Sequence, residues 1–227
     1  QTSPSPFGLE INRAEGVFLY GADGRKILDL VSGVAVSNVG HANREVLDAV
    51  IRQVESHMHL MVYGEVIQAP QVEHATLLTS LLPESLNSVY YVNSGSEANE
   101  AAIKLAKRAT GRGEIISCYN CYHGSTQGVM SLMTDEELKR SFRPLIPGVS
   151  HIRFNSIDDL KSINTRIAAV IVEPVQGEAG IIPPEPGYLE ALRKRCDEVG
   201  TLLIFDEIQT GFGRCGRLFA FQKYGII

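Results

Sequence analysis

Thr201-Leu-Leu-Ile-Phe-Asp-Glu-Ile-Gln-Thr-Gly211 is an apolar run that ends abruptly in a carboxylate. Leu202 to Phe205 leave no polar face, so the spacing predicts a strand covered on both sides, with Asp206 delivered to its carboxyl end. Ile167-Ala-Ala-Val-Ile-Val172 has the same character and ends in Glu173. Glu114-Ile-Ile-Ser-Cys118 is a third such strand, Val89-Tyr-Tyr-Val92 a shorter one, and Ile152 falls in another. Helical spacing fills the intervals: Ser96 to Ala109, ended by Gly111; Ile157 to Ile163; and Gly187 to Val199, with Tyr188, Leu189, Leu192 and Cys196 on one face. Apolar strands alternating with helices predict an α/β fold, a mostly parallel sheet sandwiched by helices. In such sheets ligands bind beyond the carboxyl ends of the strands.

Before residue 88 the rhythm differs. Gly16-Val-Phe-Leu-Tyr20, the turn Gly21-Ala-Asp-Gly24 and Arg25-Lys-Ile-Leu-Asp-Leu30 read as a hairpin, a small N-terminal β-containing segment. Val31 to His41 reads as an ordered loop. Asn43 caps a helix carrying Val46, Leu47, Val50, Ile51 and Val54, and Pro70 opens another that Pro83 ends.

The 227 residues carry a net charge of −5 and show no basic stripe, which argues against a nucleic-acid partner. No apolar run reaches the roughly 18–20 residues of a membrane span. The polar, Pro-rich start from Gln1 to Phe7 has no apolar signal core. With four cysteines the chain is not a disulfide scaffold, and a reducing cytoplasm is the expected setting. Cys118-Tyr-Asn-Cys121 has CxxC spacing but neither a second ligand pair nor a helix opening at the first cysteine, so structural cysteines are expected and no metal site.

Four motifs sit just after strands. Val92-Asn-Ser-Gly-Ser-Glu-Ala-Asn-Glu100 opens a helix, with Ser94 and Glu97 in capping-box spacing; the N–H groups of Gly95 and Ser96 offer a phosphate site, or the motif is simply a capped helix. Cys121-Tyr-His-Gly124 places an aromatic where it can stack on a flat ring or pack in a core. Val172-Glu-Pro-Val-Gln-Gly-Glu-Ala-Gly180 gathers Glu173, Gln176 and Glu178 in a tight loop, for acid–base work, cation holding or surface charge. Asp206 at the end of a buried strand needs a cation or several donors; a protonated pyridine nitrogen, a metal or an arginine would serve. A Walker B reading needs a GxxxxGK[ST] loop and a Rossmann reading needs GxGxxG; the chain has neither.

In this order the motifs resemble those of the class III, ω-type pyridoxal-phosphate aminotransferases of fold type I. The resemblance runs from Gly16-Val-Phe-Leu-Tyr20, Leu30-Val-Ser-Gly33 and Gly40-His41 through Asn93-Ser-Gly-Ser-Glu-Ala-Asn-Glu-Ala-Ala-Ile-Lys-Leu-Ala106 to Asp206-Glu-Ile-Gln-Thr-Gly211. It implies a small-domain segment with a linking helix over 1–60 and a large cofactor-binding domain over 61–227, continuing past Ile227. It implies pyridoxal 5'-phosphate (PLP) as cofactor. Ser94, Gly95 and Ser96 would bind its phosphate, and Tyr122 would stack on its ring with His123 and Gly124 beside it. Asp206 would pair with the pyridine nitrogen, Gln209 would lie near the ring hydroxyl, Ile208 would pack opposite Tyr122, and Glu173 would support the site. Asp206 and Glu173 are thereby the expected catalytic residues. Val34 would shape the substrate pocket, and Glu178 would pair with an arginine past Ile227. The catalytic lysine is likewise expected past Ile227, and Lys104, on an exposed helix face, is read instead as pairing with Glu100.

The implied reaction moves an amino group from an amine or amino-acid donor to a 2-oxo acid, in a homodimer with the active site at the interface. One departure bears on the substrate. Several family members follow the aromatic-His-Gly triplet with an arginine that grips a substrate carboxylate, whereas here Ser125 follows, and serine offers no bidentate charged fork. That weighs against acetylornithine, ornithine and 4-aminobutyrate as substrates. A lyase or racemase of the same fold, or a non-catalytic homologue, are the alternative readings.

Overall fold

The computed structural model describes residues 5–61 and 64–226, so the first residues of the Pro-rich start lie outside the described part. The chain divides into two compact units, 1–89 and 90–227. The sequence reading sets its division at 60/61. The Ala69–Ser80 helix, read as part of the larger domain, thus clusters with the first unit.

In the first unit, β1 (Ile11–Glu15), β2 (Phe18–Gly21) and β3 (Lys26–Leu28) form an antiparallel sheet in the order β1-β2-β3. The β2–β3 hairpin has Phe18 opposite Leu28. β1 escapes the sequence reading because Ile-Asn-Arg-Ala-Glu is almost wholly exposed and shows no apolar alternation. Arg13 lies over the Tyr20 ring and Lys26 over Phe18, at 3.9 and 3.8 Å from the ring centres. Asn43 caps the Arg44–Ser56 helix by accepting from the Val46 N–H.

Val31 to His41 is ordered, as expected, but contains a left-handed turn: φ is 54°, 62°, 62° and 66° at Ser32, Gly33, Val34 and Ala35. A β-branched residue there is strained. Asp29 braces the turn, accepting from the N–H groups of Val31 and Ser32 and from His41 Nε2 at 2.7 Å. The His41 bond, then the Ser32 amide, hold the Asp29 carboxyl below the usual range. His41 therefore has a structural role.

In the second unit, β4 (Glu114–Cys118), β5 (Val149–Ile152), β6 (Ile167–Val172) and β7 (Leu202–Phe205) form a parallel sheet in the order β5-β4-β6-β7. All six residues of β6 are buried. Because side chains alternate between faces, both faces are covered at this strand. Ile115, Ala169 and Ile171 pack with Ile103 and Ala106 of the Gly95–Thr110 helix. The Tyr188–Val199 helix buries Tyr188, Leu189, Leu192 and Cys196, as its spacing predicts.

Two elements differ from expectation. Val89–Val92 joins no β-ladder among the described residues, and Tyr90 is 80% exposed; its β-prone composition is not matched by a neighbouring strand. Ile157–Ile163 is a tighter 3₁₀ turn over Asp158–Ser162, where Asp159 turns back to bind Arg153. No described helix is long and apolar enough to cross a membrane.

The strand order places the site. The chain steps from β4 outward to β5, returns past β4 to β6, and continues to β7. The loops leaving β4 and β6 thus part in opposite directions and open a crevice at the carboxyl ends of these strands.

Candidate active site

A cavity of about 210 Å³ occupies that crevice. All ten residues expected to hold a cofactor line it, together with Val175 and Thr210. Each arrives by a separate local device.

The Gly95–Thr110 helix points its N-terminus at the cavity. Ser94 Oγ accepts from the Glu97 N–H at 3.1 Å, and the Glu97 carboxylate reaches back to the Asn93 N–H at 2.6 Å. The capping box forms with its return bond one residue earlier than the motif specifies. Gly95 and Ser96 are the first helical residues, so their N–H groups have no intrahelical acceptor and present the positive end of the helix to the cavity. Ser94→Ala removes the cap and is expected to lower stability by about 1 kcal/mol, measurable by urea unfolding.

The loop after β4 carries Tyr122, His123 and Gly124. Tyr122 is half-exposed at the cavity wall, whereas His123 is buried. Gly124 has φ of +124°, and a Cβ there would stand 2.3 Å from Ser96 Oγ and 2.8 Å from Ser96 Cα. The Ser125 N–H donates to Ser96 Oγ at 3.2 Å, tying this loop to the helix start. Glu100 accepts from Thr126 Oγ1 and from the Gly128 and Val129 N–H groups, at 2.7, 2.8 and 3.0 Å. Among its described bonds Lys104, the expected partner, does not appear; three local donors outcompete an exposed ammonium.

Glu173, at the end of β6, accepts from the Gly177 N–H at 3.1 Å and from the Tyr122 N–H at 3.4 Å. It therefore braces the aromatic loop through its backbone. Burial pushes the Glu173 carboxyl up; the Gly177 bond and the charge of His123 counter it.

Asp206 is 5% exposed, and its donors come from three segments. Asn99 Nδ2 and His123 Nδ1 both donate to Oδ2, each at 2.8 Å, and the Ile208 N–H donates to Oδ1 at 3.1 Å. Burial pulls the His123 imidazole down, but the bond to Asp206 and the neighbouring Cys121 outweigh this and raise it to about 10. His123 Nε2 has no hydrogen-bond partner among the described residues. Burial likewise pushes the Cys118 thiol up, which favours the inert thiol over a reactive thiolate.

The neighbouring Glu207 does different work. Its carboxylate accepts from Thr210 Oγ1 and from the N–H groups of Ala220 and Phe221, fastening the Ala220–Lys223 turn to the end of β7. Gln209 lines the cavity, and its Nε2 donates to Glu178 at 3.1 Å. Glu178 itself is exposed and does not line the cavity. Val34 belongs to the first unit and is not a lining residue.

The residue that sequence reading missed is Asn99. Its signal lay in the pattern: Asn99, Ile103 and Ala106 share the buried face of one helix, and an amide on an apolar stripe must bond to something.

The arrangement offers anion-binding amides at one end, a half-exposed ring and Ile208 in the walls, and a buried carboxylate at the other end. The family model for Aminotransferase class-III matches residues 2–227. The chain is 42% identical over 221 residues to the [LysW]-aminoadipate semialdehyde/glutamate semialdehyde transaminase of Sulfurisphaera tokodaii, covering 97% of this chain and 56% of that protein. It is also 42% identical over 230 residues to the acetylornithine aminotransferase of Clostridium acetobutylicum, covering 97% and 58%. Among solved structures it is similar to a PLP-bound amine transaminase from an uncultivated Pseudomonas species, with a TM-score of 0.87, 26% identity, and coverage of 100% of this chain and 60% of that one. The chain therefore spans little more than half the length of the proteins it matches.

Proposed function

We propose that this chain, which belongs to the class III aminotransferase family, holds pyridoxal 5'-phosphate in the crevice and serves a protein that moves an amino group from an amine or amino acid to a 2-oxo acid. The observation that carries the reading is Asp206. It is a buried carboxylate lining the cavity, with three bonds on a group that offers about four acceptor positions. The residues present fit the cofactor. Gly95 and Ser96 present amides for a phosphate, and a Cβ at Gly95 would stand 2.7 Å from Ile208 Cδ1, so a bare backbone keeps that end of the cavity open.

When bound, PLP supplies an electron sink for the pair left on a substrate carbon that has lost its proton. The chain's own residues hold and orient. The helix start neutralises phosphate charge. Tyr122 and Ile208, both in the cavity wall, would hold a flat ring. Asp206 would meet the ring nitrogen and favour its protonated form, and His123 Nδ1 donates to Asp206 Oδ2. Glu173 fixes the Tyr122 backbone, and Gln209 joins the cavity wall to Glu178.

The named relatives act on acetylornithine and on semialdehyde substrates; here position 125 is serine, its N–H committed to Ser96. We take the donor to be an amine or amino acid held without a cation at 125. The homodimer reading rests on the family and on the half-exposed apolar rim that Tyr122 and Ile208 leave around the cavity. We also infer a reducing, cytoplasmic setting, from a chain of this length with only four cysteines.

The test is an absorption titration of the purified full-length protein with PLP, followed by gel filtration, then by donor amines and 2-oxo acids. Retained cofactor with a changed visible spectrum, and amino transfer to the 2-oxo acid, are expected. Cofactor that dialyses freely from the wild-type protein would overturn the reading.

A further inference from the structure

Asp206 is held by several segments, and a single amide links two of them. Asn99 is 4% exposed, on the buried face of its helix. Its Nδ2 uses both hydrogens: one donates to the His123 carbonyl at 2.9 Å, the other to Asp206 Oδ2 at 2.8 Å. These partners lie 24 and 107 residues away in sequence. His123 Nδ1 donates to the same Oδ2, so two donors occupy it. The Ile208 N–H takes a position on Oδ1. A carboxylate has about four acceptor positions, which leaves the free one on Oδ1.

We propose that Asn99 is a positioning residue. By bridging the His123 carbonyl and Asp206 Oδ2, it fixes the carboxylate so that its remaining acceptor position serves the cofactor's ring nitrogen. The inference rests on the reading that the crevice takes PLP. It assigns the helix two tasks at different depths: its first residues meet the phosphate, and one turn further in it aims the carboxylate that meets the ring. The bond to the His123 carbonyl also sets where the imidazole starts, so Asn99 and His123 approach Oδ2 as a coupled pair.

A purely structural Asn99, gluing helix to loops, would affect every ligand of the cavity alike. The experiment therefore compares two ligands on the full chain: PLP and its 1-deaza analogue, in which carbon replaces the ring nitrogen. Affinities are measured for wild type, Asn99→Ala and Asn99→Ser, with a thermal melt of each. Wild type is expected to prefer PLP. Asn99→Ala is expected to weaken PLP by about tenfold, the scale of a charge-assisted hydrogen bond, and to leave the analogue unchanged. Equal losses for both ligands, or no loss for either, overturn the positioning role. Failure of both variants to fold also overturns it, since the residue is then structural. A wild type that binds both ligands equally removes the ring-nitrogen contact and the proposal with it. A wild type that binds neither sinks the cofactor reading itself, a separate result.

Discussion

Asp206→Ala is expected to weaken retention of the cofactor and to lower the pH at which His123 titrates. In the wild type the imidazole is buried, which lowers its proton affinity, and yet is raised to about 10 by Asp206 and Cys121. Its folded value stands above the ordinary 6.5. The stability it contributes is therefore fully present below 6.5 and is lost as pH rises through about 10. Alanine removes the carboxylate and leaves the burial. His123 then loses a principal cause of its raised value, its titration is expected to move down, and the stability it contributes shrinks with it. Removing one partner of a buried, hydrogen-bonded charge pair costs about 2–5 kcal/mol, and cofactor binding is expected to lose a comparable amount. Imidazole NMR titration follows the first effect and dialysis with spectroscopic detection the second. An unmoved His123 titration in the variant would show that Asp206 does not control it.

Gly124→Ala is expected to lower stability and phosphate affinity together. At φ of +124° an L side chain is strained, at about 1–3 kcal/mol. The added Cβ would also press on Ser96 at both Oγ and Cα, and a backbone atom cannot rotate aside. Overpacking of this kind costs about 1–3 kcal/mol more. The pressed residue is the one whose amide is offered to phosphate, so inorganic phosphate should bind more weakly to the variant. Gly95→Ala is the useful contrast. Its Cβ would meet Ile208 Cδ1, the mobile end of a side chain, and should cost less stability while narrowing the cavity. Melting temperatures of the two variants give the comparison; an unchanged melt for Gly124→Ala would refute the steric argument.

Much of the second unit is readable from composition. β6 is apolar at every position because both faces are covered, and Asp206 stands out because a carboxylate follows such a strand at once. Ser94 and Gly111 mark both ends of their helix. What escapes reading escapes for physical reasons. β1 is an exposed edge strand with no apolar face to alternate. Val89–Val92 has strand-like composition, but pairing is a property of neighbours rather than of the segment. Asn99 looks like one polar residue among several in Ser94–Glu100; its role depends on two partners far along the chain. Spacing alone gives Glu100 a helical neighbour, while the fold brings it three donors from another segment.

The adjacency of Asp206 and Glu207 has an evolutionary side. One carboxylate lines the crevice and the next clasps Ala220 and Phe221. Strand side chains alternate, so a single inserted or deleted residue in β7 would exchange the two. Chemistry and scaffold would then fail at one stroke. Drift in this strand is thus confined to swaps among apolar side chains of fixed number. The interval from Leu202 to Glu207 should therefore behave as a ruler among the chain's descendants.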